Sequence, residues 1–248
     1  MINRNVEIIT LIYKSVDYLR FIAEQMKSDR CKADGWNVGI RILANDATPE
    51  VLEELKKLDI PYTIHNNFWS NEYYLNKVYR AYNYAVITSE YDNVVLINSD
   101  YVIGKNFLTN LLKHHDGVNI PCGRLIESGK MPSGENAINM GQNDFGRSPK
   151  NIDKEGFDRW VAENAEDKVL EGGLFMPVVL ERKTFIDSCM YPIGNIYHNG
   201  IGTADFGGRY IQSGDDFYFK RVLAKRGMKH ITVCDSCVYH IIEGEKDE

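Results

Sequence analysis

Between residues 6 and 115 short apolar runs alternate with longer amphipathic stretches, and this alternation constrains the fold more than any other feature. The run at 6–13 is followed by a stretch from Ser15 in which Leu19, Ile22, Ala23 and Met26 fall at i, i+3, i+4 and i+7. That spacing puts one apolar stripe on a helix. A second run, "VGIRILA" (38–44), leads through Asn45-Asp46-Ala47-Thr48-Pro49 into a stretch carrying Leu52, Leu55 and Leu58. Thr48 suits the N-cap, Pro49 the first helical position and Glu50 the positive end of the helix. A short strand "YTIH" (62–65), a polar aromatic loop and a helix with Leu75, Val78, Ala81, Tyr82 and Ala85 on one side follow. The run Val94–Ile97 and a helix near 105–115 complete the series. Strand–helix alternation at this spacing predicts βαβ units and a parallel sheet. Ligands of such sheets bind beyond the carboxyl ends of the strands, where Asp46 and Asp100 both fall.

The second half is less regular. Residues 123–150 are rich in Gly, Ser, Asn and Pro and predict a long surface loop or lid. A polar helix is expected near 153–165 with Trp160 as an anchor, a strand over 171–180, and a short helix over 181–190. Residues 191–213 read as loop, followed by a helix that Gly227 ends, a strand near 229–234 and a final "CVYH". No repeat or linker is visible, so 248 residues predict one compact domain with a substantial core.

A net charge of −6 argues against generic binding to nucleic acid or to anionic membrane, and leaves room for a local basic pocket. "VEIITLIY" is too short, and too interrupted by Glu7, for a signal peptide, and no apolar run reaches membrane-spanning length. The five cysteines form no framework, which suits a reducing compartment. Cys234 and Cys237 have C-x-x-C spacing without the second pair that a zinc site needs. The expected location is cytoplasmic, or peripheral to the inner face of a membrane.

Several residues could carry chemistry. Asp100 ends the apolar run after Asn98 and Ser99; it reads either as a turn cap or as a ligand for a hard cation, which takes oxygen donors. Asp215 and Asp216 open a helix, where the dipole stabilises negative charge, and Asp216 could equally serve as a general base. His240 reads as an ordinary strand-end histidine unless it converges with Asp100, since neutral imidazole also suits Mn²⁺.

Order and spacing together resemble the family 2 glycosyltransferases over nearly the whole chain. "VEIITLIYKSVDYL" is similar to that family's opening strand and helix, "RILANDATPE" to its V-D-D-G-S-T-D segment, and Asn83 stands at the Asn of its A-R-N-x-G helix. "VVLINSD" resembles the strand ending in D-x-D, "SGDDFYFKRVLAKRG" the E-D motif and its helix, and "VYHIIEGE" the late V-x-H segment. The sequence departs from the pattern at Lys14, at Asn45 and Asn98 (each replacing a first Asp) and at Asp215, which replaces Glu.

The resemblance implies a GT-A fold: a Rossmann-like, mixed, mostly parallel sheet flanked by helices, with a nucleotide-sugar half (1–122) and an acceptor and catalytic-base half (123–248). It implies a metal-dependent, inverting hexosyltransferase. A nucleotide-diphospho-sugar, most simply a UDP-sugar, would be the donor, and a glycan or another hydroxyl-bearing molecule the acceptor. Asp46 would contact the base; Ile12, Tyr13, Asn83, Asn98 and Ser99 would line the donor site. Asp100 and His240 would bind Mn²⁺ or Mg²⁺, and Asp216 would be the base with Asp215 beside it. The aromatics Phe68, Trp69, Tyr73, Tyr74, Trp160, Tyr191, Tyr197 and Tyr210, in or near expected loops, could stack on sugars or serve as core and loop anchors. Two alternatives remain. A sugar-phosphate nucleotidyltransferase would carry a Gly-rich phosphate loop, which "LIYKSVD" lacks. A non-catalytic carbohydrate- or nucleotide-sugar-binding protein need not have kept Asp216.

Overall fold

The computed structural model describes residues 2–67, 74–127, 135–141, 144–192 and 218–241. Strands β1 (Asn5–Ile12), β2 (Asn37–Asn45), β3 (Tyr62–His65) and β4 (Asn93–Asn98) are joined by helices α1 (Val16–Lys27), α2 (Pro49–Lys57) and α3 (Tyr74–Ile87). β5 (Tyr101–Ile103), α4 (Phe107–Lys113), β6 (Asn119–Glu127) and β7 (Ile138–Asn139) come next. Then follow α5 (Lys154–Asn164), β8 (Val169–Glu171), β9 (Val178–Glu181), α6 (Arg182–Asp187) and β10 (Lys229–His240).

The strands form one sheet in the order β3-β2-β1-β4-β9-β6-β10-β5, with β7 beside β6 and β8 beside β10. β3, β2, β1 and β4 run parallel, as do β6 and β10, while β9 and β5 pair antiparallel with their neighbours. Val94, Val95, Leu96 and Ile97 are fully buried, so β4 is covered on both faces, as a central strand of an α/β sheet must be.

Local signals act as expected in the first half. Ser15 Oγ accepts the Tyr18 N–H and Thr48 Oγ1 the Val51 N–H, capping α1 and α2. Leu19, Ile22, Ala23 and Met26 are buried as one stripe. Glu7, which interrupts the first apolar run, is itself buried and forms a bidentate pair with Arg41 of β2 at 2.9 Å.

The second half corrects four expectations. Residues 123–127 are not loop but the end of core strand β6. Gly123 marks a close approach, because a Cβ there would come within 2.8 Å of Pro177 and 2.9 Å of the Ser236 carbonyl. The single strand expected over 171–180 is two strands, since Gly172 (φ 77°) and Gly173 (φ 149°) turn the chain between β8 and β9. The two last strands are one, β10, whose pairing with β6 slips at a bulge between Val233 and Cys237. The last expected helix is, over the described residues, a π-helical turn (Tyr218–Leu223) and a 3₁₀ turn that Gly227 ends in the left-handed conformation.

Cys234 and Cys237 are buried free thiols, and burial pushes Cys237 up to about 12. Among the described residues no helix is long and apolar enough to cross a membrane.

Candidate functional site

Sheet register assembles the main polar cluster. The Cα partners of His240 are Tyr101 on β5 and Glu127 on β6, so three side chains from strands far apart in sequence form one row on one face. His240 Nδ1 lies 2.9 Å from Glu127 Oε1 and Nε2 lies 3.2 Å from Asp100 Oδ2; the protonated ring donates to both, and the neutral ring to one of them. The Tyr101 ring meets the imidazole edge-on at 5.5 Å. Burial disfavours a charge on His240, but hydrogen bonds and attraction to Asp100 and Glu127 outweigh it, and its pKa is pushed up to about 9. Among the described residues, Asp100 Oδ1 is buried and has no hydrogen-bond partner.

Supporting contacts hold this row from outside. Asn98 Oδ1 accepts from the Tyr82 hydroxyl, while its Nδ2 donates to the Tyr101 oxygen, both at 3.2 Å. Tyr101 in turn donates to the Met176 carbonyl at 3.2 Å. Burial, and then the nearby Asp100 charge, raise both tyrosines well above the usual phenol range, so they act as neutral donors. On the outer side of β5, the buried Gln25 amide donates to the Tyr101 carbonyl at 2.9 Å and accepts the Ile103 N–H at 2.8 Å. Arg30 donates to the Ile103 carbonyl and pairs bidentately with Asp158 of α5.

A second polar group lies at the ends of β2 and β3. Asp46, at φ 50°, accepts the Asn67 backbone N–H at 2.7 Å and its Nδ2 at 2.9 Å. Asn45 Oδ1 takes the same Nδ2 at 2.9 Å and contacts His65 Nδ1 at 3.0 Å. Asp46 therefore shapes the loop after β3.

The structure thus brings Asp100 and His240 together, with Asn98 and the buried Ser99 alongside. The Ile12 side chain is 1% exposed and belongs to the core, which leaves its backbone to line a donor site. Tyr13 is 49% exposed, and its carbonyl accepts the Thr48 N–H. Asn83 is set apart, because its amide donates to the Tyr191 carbonyl and accepts the Tyr191 N–H. Tyr191 itself is a core residue packed on Tyr79, Phe185 and Tyr218, not a platform for sugars, and Trp160 packs on Phe145. Asp215, Asp216, Phe68, Trp69, Tyr73, Tyr197 and Tyr210 lie outside the described residues.

Glu127 is the residue that sequence reasoning missed. The available signal was the apolar pair Leu125-Ile126 ending in a carboxylate, the pattern that drew attention to Asp100 on β4.

Among the described residues, no three His, Cys, Asp or Glu side chains converge as a ready metal cage. Asp100 and His240 nevertheless fit a cation. One offers a carboxylate oxygen that is buried without a donor, the other an imidazole nitrogen, and hard cations commonly take only one or two protein ligands beside substrate phosphates.

No protein-family profile matches the sequence, and no curated protein matches it. Solved structures do match. GalNAc-T7 with UDP, GalNAc and Mn²⁺ superposes with a TM-score of 0.59 at 10% identity over 96% of this chain. The mannosyltransferase PcManGT from Pyrobaculum calidifontis, in complex with GDP-Man and Mn²⁺, gives 0.54 at 13% identity over 98%. S. aureus TarS 1-349 gives 0.54 at 12% identity over 95%. The fold is GT-A. The chain spans 44%, 58% and 60% of those three structures, roughly half of each. In this fold Asp100 follows the carboxyl end of β4 and His240 ends β10.

Proposed function

We propose that the protein is a glycosyltransferase moving a sugar from a nucleotide-diphospho-sugar to an acceptor hydroxyl, with a divalent cation held by Asp100 and His240. The observation that carries this reading is the buried, unpartnered Asp100 Oδ1 beside His240 at the carboxyl end of a GT-A sheet. Two of the similar structures hold Mn²⁺, one with UDP and GalNAc and the other with GDP-Man, which supports a donor of this class. They differ in base, and UDP is our choice on the family 2 resemblance.

When bound, the cation would neutralise charge on the departing diphosphate. The chain's own residues do the rest. Asp46 and Tyr13 bound the base side of the crevice, and Tyr82 and Tyr101 fix Asn98 beside Asp100. By the family 2 resemblance, Asp216, with Asp215 next to it, accepts the proton of the acceptor hydroxyl while that oxygen attacks the anomeric carbon and inverts it. The nucleoside diphosphate leaves from the opposite side.

Thermal unfolding with UDP, GDP, CDP or dTDP, each with Mn²⁺ and with EDTA, tests the donor site. A ligand at a thousandfold excess over its Kd stabilises the fold by about 4 kcal/mol. We expect stabilisation by one nucleotide, UDP first, that disappears in EDTA and in Asp100→Ala. No shift with any nucleotide in the presence of Mn²⁺ would sink the transferase reading.

A further inference from the structure

We infer that Glu127 is a positioning residue that fixes which nitrogen of His240 carries the proton, and so aims the Nε2 lone pair at the cation. The inference deepens the proposed function and rests on its assignment of His240 as a ligand.

The geometry is over-determined for a mere contact. Glu127 and His240 are register partners on adjacent parallel strands, so their Cβ atoms leave the sheet side by side. Glu127 is 1% exposed, and a buried carboxylate without a strong partner is costly. At 2.9 Å from Nδ1 it is well placed to hold a proton there. The end of β6 is itself anchored, since Ile126 and Glu127 pair with Ile138 and Asn139 of β7 and the Glu127 carbonyl accepts the Met140 N–H at 2.8 Å. Glu127 is thus held by backbone on a strand rather than by a loop. The ring of His240 has three fixed neighbours: Glu127 at Nδ1, Asp100 at Nε2 and the Tyr101 ring against its edge.

A neutral imidazole that ligates a cation through Nε2 keeps its proton on Nδ1. An acceptor at Nδ1 selects that tautomer, locks ring rotation and makes Nε2 a better donor. Among the described residues, Glu127 is the acceptor at that atom. Removing such an outer partner weakens metal affinity by roughly 10- to 100-fold in comparable sites.

Two variants separate positioning from bulk stability. Glu127→Gln keeps a carbonyl acceptor for the Nδ1 proton, whereas Glu127→Met keeps the volume and removes the acceptor. The full chain is titrated with Mn²⁺ in the presence of UDP and followed by the Mn²⁺ electron-spin signal, after thermal unfolding has shown both variants to be folded. We expect Glu127→Gln to bind within about threefold of wild type and Glu127→Met to lose roughly 10- to 100-fold. Nitrogen-15 shifts of the His240 ring, recorded without metal above about pH 10 so that the ring is neutral, should report Nδ1–H in wild type and Glu127→Gln, and Nε2–H facing Asp100 in Glu127→Met. A folded Glu127→Met that binds Mn²⁺ like wild type, with His240 still purely Nδ1–H, overturns the inference. If wild type binds no cation, the transferase reading fails by itself, and the nitrogen-15 comparison alone then decides whether Glu127 sets the tautomer.

Discussion

The two ends of the sheet handle buried polar groups in opposite ways. At the amino ends of the strands most groups close on one another, His115 Nδ1 being the exception. Asn93 Nδ2 donates to the carbonyls of Asn3 and Asn5, and its Oδ1 takes the His115 Nε2–H at 2.8 Å. Further along, Arg41 uses all five of its N–H groups: two on Glu7, one on the Ala85 carbonyl, and one each on the hydroxyls of Thr63 and Thr88. At the carboxyl ends, Asp100 keeps a buried oxygen with no donor, beside a histidine held between two carboxylates. A closed network contributes a unique packing and nothing else. An open one leaves bonding capacity for a ligand, at a cost in stability.

The comparison breaks most visibly at Arg41. Arg41→Ala leaves Glu7 as an uncompensated buried charge, and we expect a loss of about 3–5 kcal/mol in urea unfolding. The degree of stabilisation by nucleotide and Mn²⁺ should be unchanged, because Arg41 lies on the closed side. Equal damage to both readouts would show that the two ends are one network.

A pH titration of stability sharpens the same contrast at the amino end. Burial lowers the pKa of His115 from 6.5 to about 4, so the folded state binds fewer protons than the unfolded state between these values. The His115 contribution is therefore intact above pH 6.5 and is lost as pH falls toward 4, about 3 kcal/mol in all. His115→Gln should flatten this part of the acid limb relative to wild type. Parallel stability curves for the two proteins would refute the assignment.

The smallest expected effect joins the two regions. Gln25→Leu removes the partner of the Tyr101 carbonyl and the Ile103 N–H, and should cost about 2 kcal/mol. Since Asp100 immediately precedes β5, the variant should also weaken stabilisation by nucleotide with Mn²⁺. A stability loss with ligand binding intact would place β5 on the structural side of the divide.

Much of the first half was legible from local pattern. Thr48 caps the helix it was expected to cap, α1 begins beside Ser15 where its apolar stripe was read, and the run at 94–97 is a strand buried on both faces because nothing in it is polar. The second half was less legible because its signals are non-local. Gly123 looks like loop chemistry in the sequence, yet it is glycine because Pro177 and the Ser236 carbonyl crowd it. Two separate strands were read where the bulge after Val233 lets β10 continue. At the site, Asp100 and His240 were paired through the family 2 resemblance, not through spacing. Glu127 escaped because cross-strand register, which no short window of sequence contains, is what brings it to His240. Asn83 was placed correctly on its helix, but its attachment to the Tyr191 backbone depends on a segment more than a hundred residues away.

The Gln25 side chain has one more consequence. β5 lies at the end of the strand order, where unpaired backbone groups ordinarily template the addition of a foreign strand. Here the outward-facing Tyr101 carbonyl and Ile103 N–H are already bonded to Gln25, and Arg30 takes the Ile103 carbonyl. One amide on α1 thus does the work of a neighbouring strand without offering an edge of its own. The rim of the molecule next to Asp100 is thereby insulated against edge-to-edge association, and a crowded cell finds no sticky seam beside the crevice.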